Sequence, residues 1–289
     1  MKNITVKDII TACGGKLLCG DETTSLTGIK VDSRKIEAGD LYVPIIGENV
    51  DGHKFISASC AAGAAATLTS KPLAEIDLGD FAGACIFVPD TETALKQIGI
   101  YLRRQMTMPF IGITGSVGKT TTREMVSCAL AAGLNVTATE GNSNSQIGVP
   151  LTLARLNPDA DIAVMEMGMS MPGEMSALAE LALVNTAIMT NIGVSHIEFH
   201  GTRENIMKEK LHITDAFDKD GVLIVNADDD LLSTLPALLS CKVITYGLAD
   251  GADYHADNVR IENGFTCCEV TTPSGTCKLK LQVPGLHIV

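Results

Sequence analysis

No run of about 18 uninterrupted apolar residues occurs, the length a membrane-spanning helix requires, and residues 1–8 are polar with acid close behind, unlike a secretory core segment. These absences predict a cytoplasmic protein. The nine cysteines form no CxxC pair and no Cys/His cluster with zinc-ligand spacing, and nine is odd. They read as reduced thiols, mostly small core residues. Basic residues are also scarce. Lys and Arg total 22 against 34 Asp and Glu, and the net charge of −12 disfavours nucleic acid and anionic membrane, which bind through clusters of Lys and Arg. The deficit is uneven, −2 over residues 1–109 and −10 over 110–289. A polyphosphate bound by the second part must rely on local donors and divalent metal.

With 46% hydrophobic and 19% charged residues, the chain is too apolar and too lightly charged for general disorder. Its 289 residues suggest two domains at about 150 residues each. From residue 110 onward, short apolar runs alternate with helical patterns: 110–114 then 119–132, 162–167 then 173–183, 186–192 then 203–217, with further runs at 221–226 and 242–246. Such alternation predicts βαβ units and a mostly parallel sheet covered by helices, with ligands at the carboxyl ends of its strands. Residues 1–107 predict a smaller α/β domain, with an extended stretch at 40–46 and helices at 56–66 and 91–106. A helical pattern that stops just before Pro109 marks the boundary. Residues 267–283 alternate like a strand.

The sequence GITGSVGKTTT at 112–122 follows one predicted strand and opens a helix, the context a phosphate-cradling loop requires. Glycines let backbone N–H groups face phosphate, the helix N-terminus adds partial positive charge, and Lys119 supplies a point charge. Thr120 is placed for Mg²⁺. Ile113 stands where the general pattern has its first glycine, so Gly115 opens a shorter form. Glu166 ends a predicted strand among methionines, as a metal or arginine partner or as an acid reaching water. Asn191 and His196 lie beyond the next strand, where ligands collect, although a lone loop histidine also suits the surface. Lys210, beside Glu209, fits a solvated helix face equally well. Asn226 and Asp228 end another strand, where a helix cap or a contact to a base would suit them.

The ordered set GITGSVGKTTTRE, GNSNSQIGVPLTL (141–153), EMG (166–168) and TNIGVSHIE (190–198) resembles the Mur ligase family. VDSRKIEAGDLYVPIIGENVDGHKFI (31–56) resembles the uridine-nucleotide-binding domain of that family. GVPLTL after an Asn-rich turn is most similar to the branch that adds D-Ala-D-Ala to UDP-N-acetylmuramoyl-tripeptide, rather than to a sister branch adding a single amino acid. Ser145 stands where that branch repeats asparagine.

The resemblance implies an ATP-dependent amide ligase of peptidoglycan precursor synthesis that works through an acyl phosphate. It implies that Gly115, Ser116, Val117, Gly118, Lys119, Thr120 and Thr121 hold the ATP phosphates, and that Asn226 and Asp228 serve the adenine side. Thr120 and Glu166 would bind a first Mg²⁺, and His196 with a carbamylated Lys210 a second. Asp32, Ser33 and Arg34 would contact the uridine nucleotide, and Asn142, Asn144 and Asn191 the muramoyl-peptide substrate. A monomer is implied, with a UDP-substrate domain over 1–107, an ATP-binding domain over 108–284, and 285–289 opening a third domain that the chain lacks. The alternatives are a ligase of the sister branch that adds a single amino acid, and a non-catalytic two-domain nucleotide-binding fragment.

Overall fold

Thr5 and Asp8 cap each other's backbone N–H at the start of helix α1 (Val6–Cys13), and Gly14, at φ 63°, ends it. In this computed structural model, which describes residues 1, 3–283 and 285, α1 is preceded by strand β1 (Ile4–Thr5). After it come β2 (Lys16–Cys19), β3 (Ser25–Leu26), β4 (Gly28–Lys30), β5 (Asp40–Tyr42), α2 (Ile56–Ala61), β6 (Ala66–Thr69), β7 (Ala84–Phe87) and α3 (Thr91–Arg104). The chain continues through β8 (Phe110–Thr114), α4 (Lys119–Leu130), β9 (Val136–Ala138), α5 (Gly148–Arg155), β10 (Ile162–Glu166), α6 (Glu174–Ala182) and β11 (Thr186–Met189). Helices α7 (Ile197–His200) and α8 (Arg203–Leu211) are followed by β12 (Val222–Asn226), β13 (Lys242–Gly247), β14 (Tyr254–Glu262), β15 (Phe265–Thr272) and β16 (Gly275–Leu281).

These elements form two compact units, Met1–Met108 with Leu130–Ala163, and Pro109–Ala129 with Val164–Val289. In the first, strands run in the order β2-β7-β6-β5-β4, parallel except for β2. One face carries Ile29, Leu41, Leu68 and Ile86 against α1 and α3, and α5 adds Leu151 and Ala154 to that core. Tyr42 packs with Ile56 in a smaller cluster. The helix predicted over 56–66 is shorter because Gly63, at φ 108°, turns the chain and the alanines beyond it enter β6.

In the second unit the strand order runs β16-β15-β14-β13-β12-β11-β8-β10. Strands β8, β11, β12 and β13 pair in parallel, with Ile113 opposite Ile188 and Ile188 opposite Ile224. Strands β8, β11 and β12 are mostly apolar, as strands covered on both faces must be. Strand β8 has β10 on one side and β11 on the other, so the strand order reverses beside it, the place where ligands are expected beyond the carboxyl ends of the strands.

Two expectations need correction. The alternating stretch 267–283 is two antiparallel strands, β15 and β16, around a turn at Pro273 and Ser274, and β14 precedes them unannounced. The helix expected over 203–217 stops at Leu211 in a 3₁₀ turn, where the Thr214 hydroxyl donates to Leu211 O (2.8 Å). Apart from Gly285, the expected opening of a third domain lies outside the described residues. No helix among the described residues is long and apolar enough to cross a membrane.

Candidate functional site

Between β8 and α4 the chain turns through Gly115 (φ 146°) and Gly118 (φ 84°). A Cβ at Gly115 would collide with the Thr190 hydroxyl, so space as well as dihedral requires glycine there. Residues following β11 hold the loop. Ser116 N donates to Asn191 O (3.0 Å), and Gly193 N donates to Ser116 Oγ (2.8 Å). Thr190 Oγ1 donates to Val117 O (2.6 Å), while the Asn191 amide accepts from Val117 N (3.0 Å) and donates to Val117 O (3.1 Å). Each bond contributes about 1 kcal/mol, and together they shape the loop. The N-terminus of α4 then opens with unsatisfied N–H groups, an anion site in its own right.

Lys119 Nζ donates to Gly115 O (2.9 Å) and Ser116 O (3.3 Å). Burial lowers its pKa, and the nearby Glu166 carboxylate opposes that shift. Glu166, only 1% exposed at the end of β10, accepts from Thr120 Oγ1 (2.9 Å) and from Arg123 (3.3 Å). Arg123, itself buried, also pairs with Glu124. An isolated buried carboxylate would be costly, and these donors compensate it. Thr120 and Glu166 together form an oxygen pair of the kind Mg²⁺ prefers, at the mouth of an anion-binding loop, so the residues fit that metal. Among the described residues no three His, Cys, Asp or Glu side chains form a ready cage, so a metal here must take further ligands from phosphate, water or other side chains.

Lys210 on α8 is 2% exposed, yet its ammonium makes no hydrogen bond or ion pair with any described residue. Burial pushes its pKa down to about 8, Lys119 adds to the shift, and Glu209 opposes it. His196 starts α7 in a left-handed conformation, φ 64°.

Next to the loop lies a cavity of about 400 Å³ with Gly118, Met125, Asn226, Asp228, Tyr246 and Leu248 among its lining residues. Its size and mixed lining suit a small planar ligand. Asn226 donates to Thr190 O (3.1 Å) and accepts from Asp228 N (2.9 Å). The Asp228 carboxylate accepts from Leu248 N (2.9 Å) and Ala249 N (2.7 Å), so it shapes the turn after β13. The cap on the following helical turn is Asp229, which accepts from Leu231 N and Leu232 N (both 3.0 Å) and also from Ile192 N (2.8 Å). Burial, with Asp228 and Asp229 nearby, raises the Tyr246 phenol to about 12.

Asp32, Ser33, Arg34, Asn142 and Asn144 belong to the first unit, whereas the loop, Glu166, Asn191, His196, Lys210, Asn226 and Asp228 belong to the second. Arg34 donates Nε to Asp32 Oδ1 (2.9 Å) and a terminal nitrogen to Oδ2 (2.8 Å). That fork, with the Arg34 backbone N–H, holds the Asp32 carboxyl down at about 2. Asn144 Nδ2 donates to Asn142 Oδ1 (3.0 Å). Sequence reading missed Arg123, whose only signal is its place one helical turn after Lys119 and Thr120. It also missed Arg203, which donates to Ile192 O (2.9 Å) and forks onto Asp230 (2.6 and 3.0 Å). No local spacing marks that pair.

The Mur ligase middle domain matches residues 113–289, and the Mur ligase family catalytic domain matches residues 25–104. The UDP-N-acetylmuramoyl-tripeptide--D-alanyl-D-alanine ligase of Bacillus subtilis (strain 168) is 39% identical over 256 residues, covering 88% of this chain and 55% of that protein. A crystal structure of MurF from Acinetobacter baumannii superposes with a TM-score of 0.87 at 30% identity, covering 98% of this chain and 61% of that one. MurF ligase from Thermotoga maritima in complex with ADP superposes at 0.76 with 27% identity, covering 91% and 59%. The chain therefore spans little more than half the length of these relatives.

Proposed function

We propose, from the premise that this chain belongs to the Mur ligase family, that it carries the UDP-substrate and ATP sites of a ligase joining D-Ala-D-Ala to UDP-N-acetylmuramoyl-tripeptide in peptidoglycan precursor synthesis. The supporting observation is the hydrogen-bonded glycine loop, with Lys119 inside it and the Thr120–Glu166 pair at its mouth, beside a cavity of about 400 Å³. We assign residues 1–107 to the uridine nucleotide and 108–284 to ATP, in a cytoplasmic monomer.

In the reaction we envisage, an oxygen of the peptide's terminal carboxylate attacks the γ-phosphorus of ATP. The bond to the β–γ bridging oxygen breaks and ADP leaves. The amine of D-Ala-D-Ala then attacks the acyl carbon, inorganic phosphate leaves, and the amine loses a proton. The chain's share of the first step is positioning and charge. Gly115 to Thr121 cradle the phosphates, and Lys119 transfers its N–H groups from Gly115 O and Ser116 O to the transferring phosphoryl. The cavity at Asn226 and Asp228 takes the adenine side. Asn191 acts here through Val117, since both of its amide groups are used on that backbone. Asn142 and Asn144 face the muramoyl-peptide, and Asp32, Ser33 and Arg34 take the uridine nucleotide.

Thr120, Glu166, His196 and Lys210 would hold two Mg²⁺ ions, which neutralise charge on the phosphate oxygens when bound. For Lys210 this requires conversion to an anion. Its neutral amine adds to CO₂, a C–N bond forms, one proton is released, and a carbamate results. A buried amine with a lowered pKa is the group most disposed to that reaction.

Positional isotope exchange tests the reading without the second substrate. ATP labelled in the β–γ bridge is expected to scramble its label only when UDP-N-acetylmuramoyl-tripeptide is present, and not in Lys119→Ala. Binding of both ligands without any scrambling would instead support the non-catalytic alternative.

A further inference from the structure

Helix α8 carries Lys210 but has little apolar surface with which to fix its own rotation. Its buried residues are Ile206, Glu209 and Lys210, so two of the three are charged. The Glu209 carboxylate, in a residue 6% exposed, is fully engaged: one oxygen accepts from Gly173 N (2.9 Å) and the other from Met175 N (3.0 Å). These amides open α6, whose N-cap residue is Gly173 and offers no side chain. Glu209 therefore caps another helix from outside, and the favourable N-terminal dipole strengthens the contact.

The residues joining β10 to α6 are held at other points too. Ser170 N and Met171 N donate to the Glu174 carboxylate (2.6 and 3.1 Å), and His200 Nε2 donates to Ser170 O (3.1 Å). This connection begins directly after Glu166. Glu209 thus ties the helix bearing Lys210 to the strand end bearing Glu166. Consecutive helical residues project about 100° apart, so fixing Glu209 also fixes the bearing of Lys210.

We propose that Glu209 is a positioning residue for the metal side of the site, setting the rotation of α8 so that Lys210 faces the phosphate loop. The inference rests on the role given to Lys210 above and adds a residue to it. It acts through Lys210 and touches neither substrate nor metal.

The test compares Glu209→Ala, Glu209→Gln, Lys210→Ala and Ser176→Ala with the wild-type chain. Ser176 sits on the same helix α6, where its hydroxyl donates to Asp215 (2.8 Å), and its variant perturbs that helix without touching α8's anchor. Three readouts apply: amide exchange at Gly173 and Met175, the ¹³C carbamate resonance after equilibration with labelled bicarbonate, and affinity for a non-hydrolysable ATP analogue with and without Mg²⁺. In Glu209→Ala the two amides are expected to lose protection, the carbamate signal to fall several-fold, and Mg²⁺-dependent affinity to drop about 10- to 100-fold, as when a residue orienting a metal ligand is lost. Affinity without Mg²⁺ is expected to hold. Glu209→Gln, which keeps side-chain length and one acceptor, is read in its place if the alanine variant does not fold, and a smaller loss is expected.

Loss of amide protection with unchanged carbamate and unchanged Mg²⁺ dependence would overturn the proposal, leaving Glu209 a cap alone. An equal loss in Ser176→Ala would overturn it as well, since any disturbance of α6 would then suffice. A wild-type chain with no carbamate signal, joined by a silent Lys210→Ala, would remove the reading beneath it. A Lys210→Ala that fails while both Glu209 variants behave as wild type would remove only the proposal.

Discussion

Five hydrogen bonds from Thr190, Asn191 and Gly193 fix Ser116 and Val117 in the phosphate loop, across more than 70 residues of chain. In the turn at residues 32–35, Arg34 is held by Asp32, two residues away, and its side chain is 87% exposed. Both regions are suited to anionic ligand groups, but one is shaped by the fold and the other by its own neighbours. The loop's geometry is therefore a property of the whole second unit, and the turn's geometry is open to adjustment by what binds it.

The largest expected effect is at Gly115. Gly115→Ala adds a Cβ where the Thr190 hydroxyl sits, at a dihedral that L residues rarely adopt, and should cost about 3 kcal/mol or more in denaturant unfolding of the second unit. A wild-type midpoint would break the claim that the fold dictates the loop.

Lys210→Met removes a buried charge and should stabilise the chain by about 3 kcal/mol at pH 7 in CO₂-free buffer. The folded pKa of Lys210 is depressed to about 8, so above pH 8 the unfolded state holds the additional proton and wild-type stability rises with pH. The gap between the proteins should close from pH 8 to about 10.5, followed by thermal melts across that range. A gap independent of pH would mean that Lys210 is not a desolvated charge.

A smaller loss is expected from Asn191→Ala, about 1–2 kcal/mol in stability with weaker nucleotide binding and unchanged UDP-substrate affinity. Equal weakening of both ligands in a calorimeter would blur the comparison. Smallest is Arg34→Ala, which should leave the melting temperature unchanged, because the pair is solvent-exposed, while reducing UDP-substrate binding. A lowered melting temperature would show that the turn is built into the fold after all.

Much of the parallel sheet was legible because strands buried on both faces are short apolar runs, as at Ile162–Glu166 and Thr186–Met189. The phosphate loop was legible because its parts are consecutive. What escaped reading was long-range. Asn191 carries no sign that it will grip Val117, and Glu209 none that it will cap Gly173 and Met175, since charged neighbours on a helix look alike whether solvated or buried. The hairpin of β15 and β16 escaped because one alternating pattern runs through both strands, and only Pro273 and Gly275 break it. Arg123 and Arg203 were passed over for the same reason as Glu209: their partners Glu166 and Asp230 lie far along the chain.

The most direct test of the central claim is calorimetric titration of the 289-residue chain with a non-hydrolysable ATP analogue and Mg²⁺, and separately with UDP-N-acetylmuramoyl-tripeptide, in wild type and Lys119→Ala. The account predicts that both ligands bind wild type and that the substitution removes the nucleotide alone. Absence of nucleotide binding in the wild type, or its survival in Lys119→Ala, would contradict it.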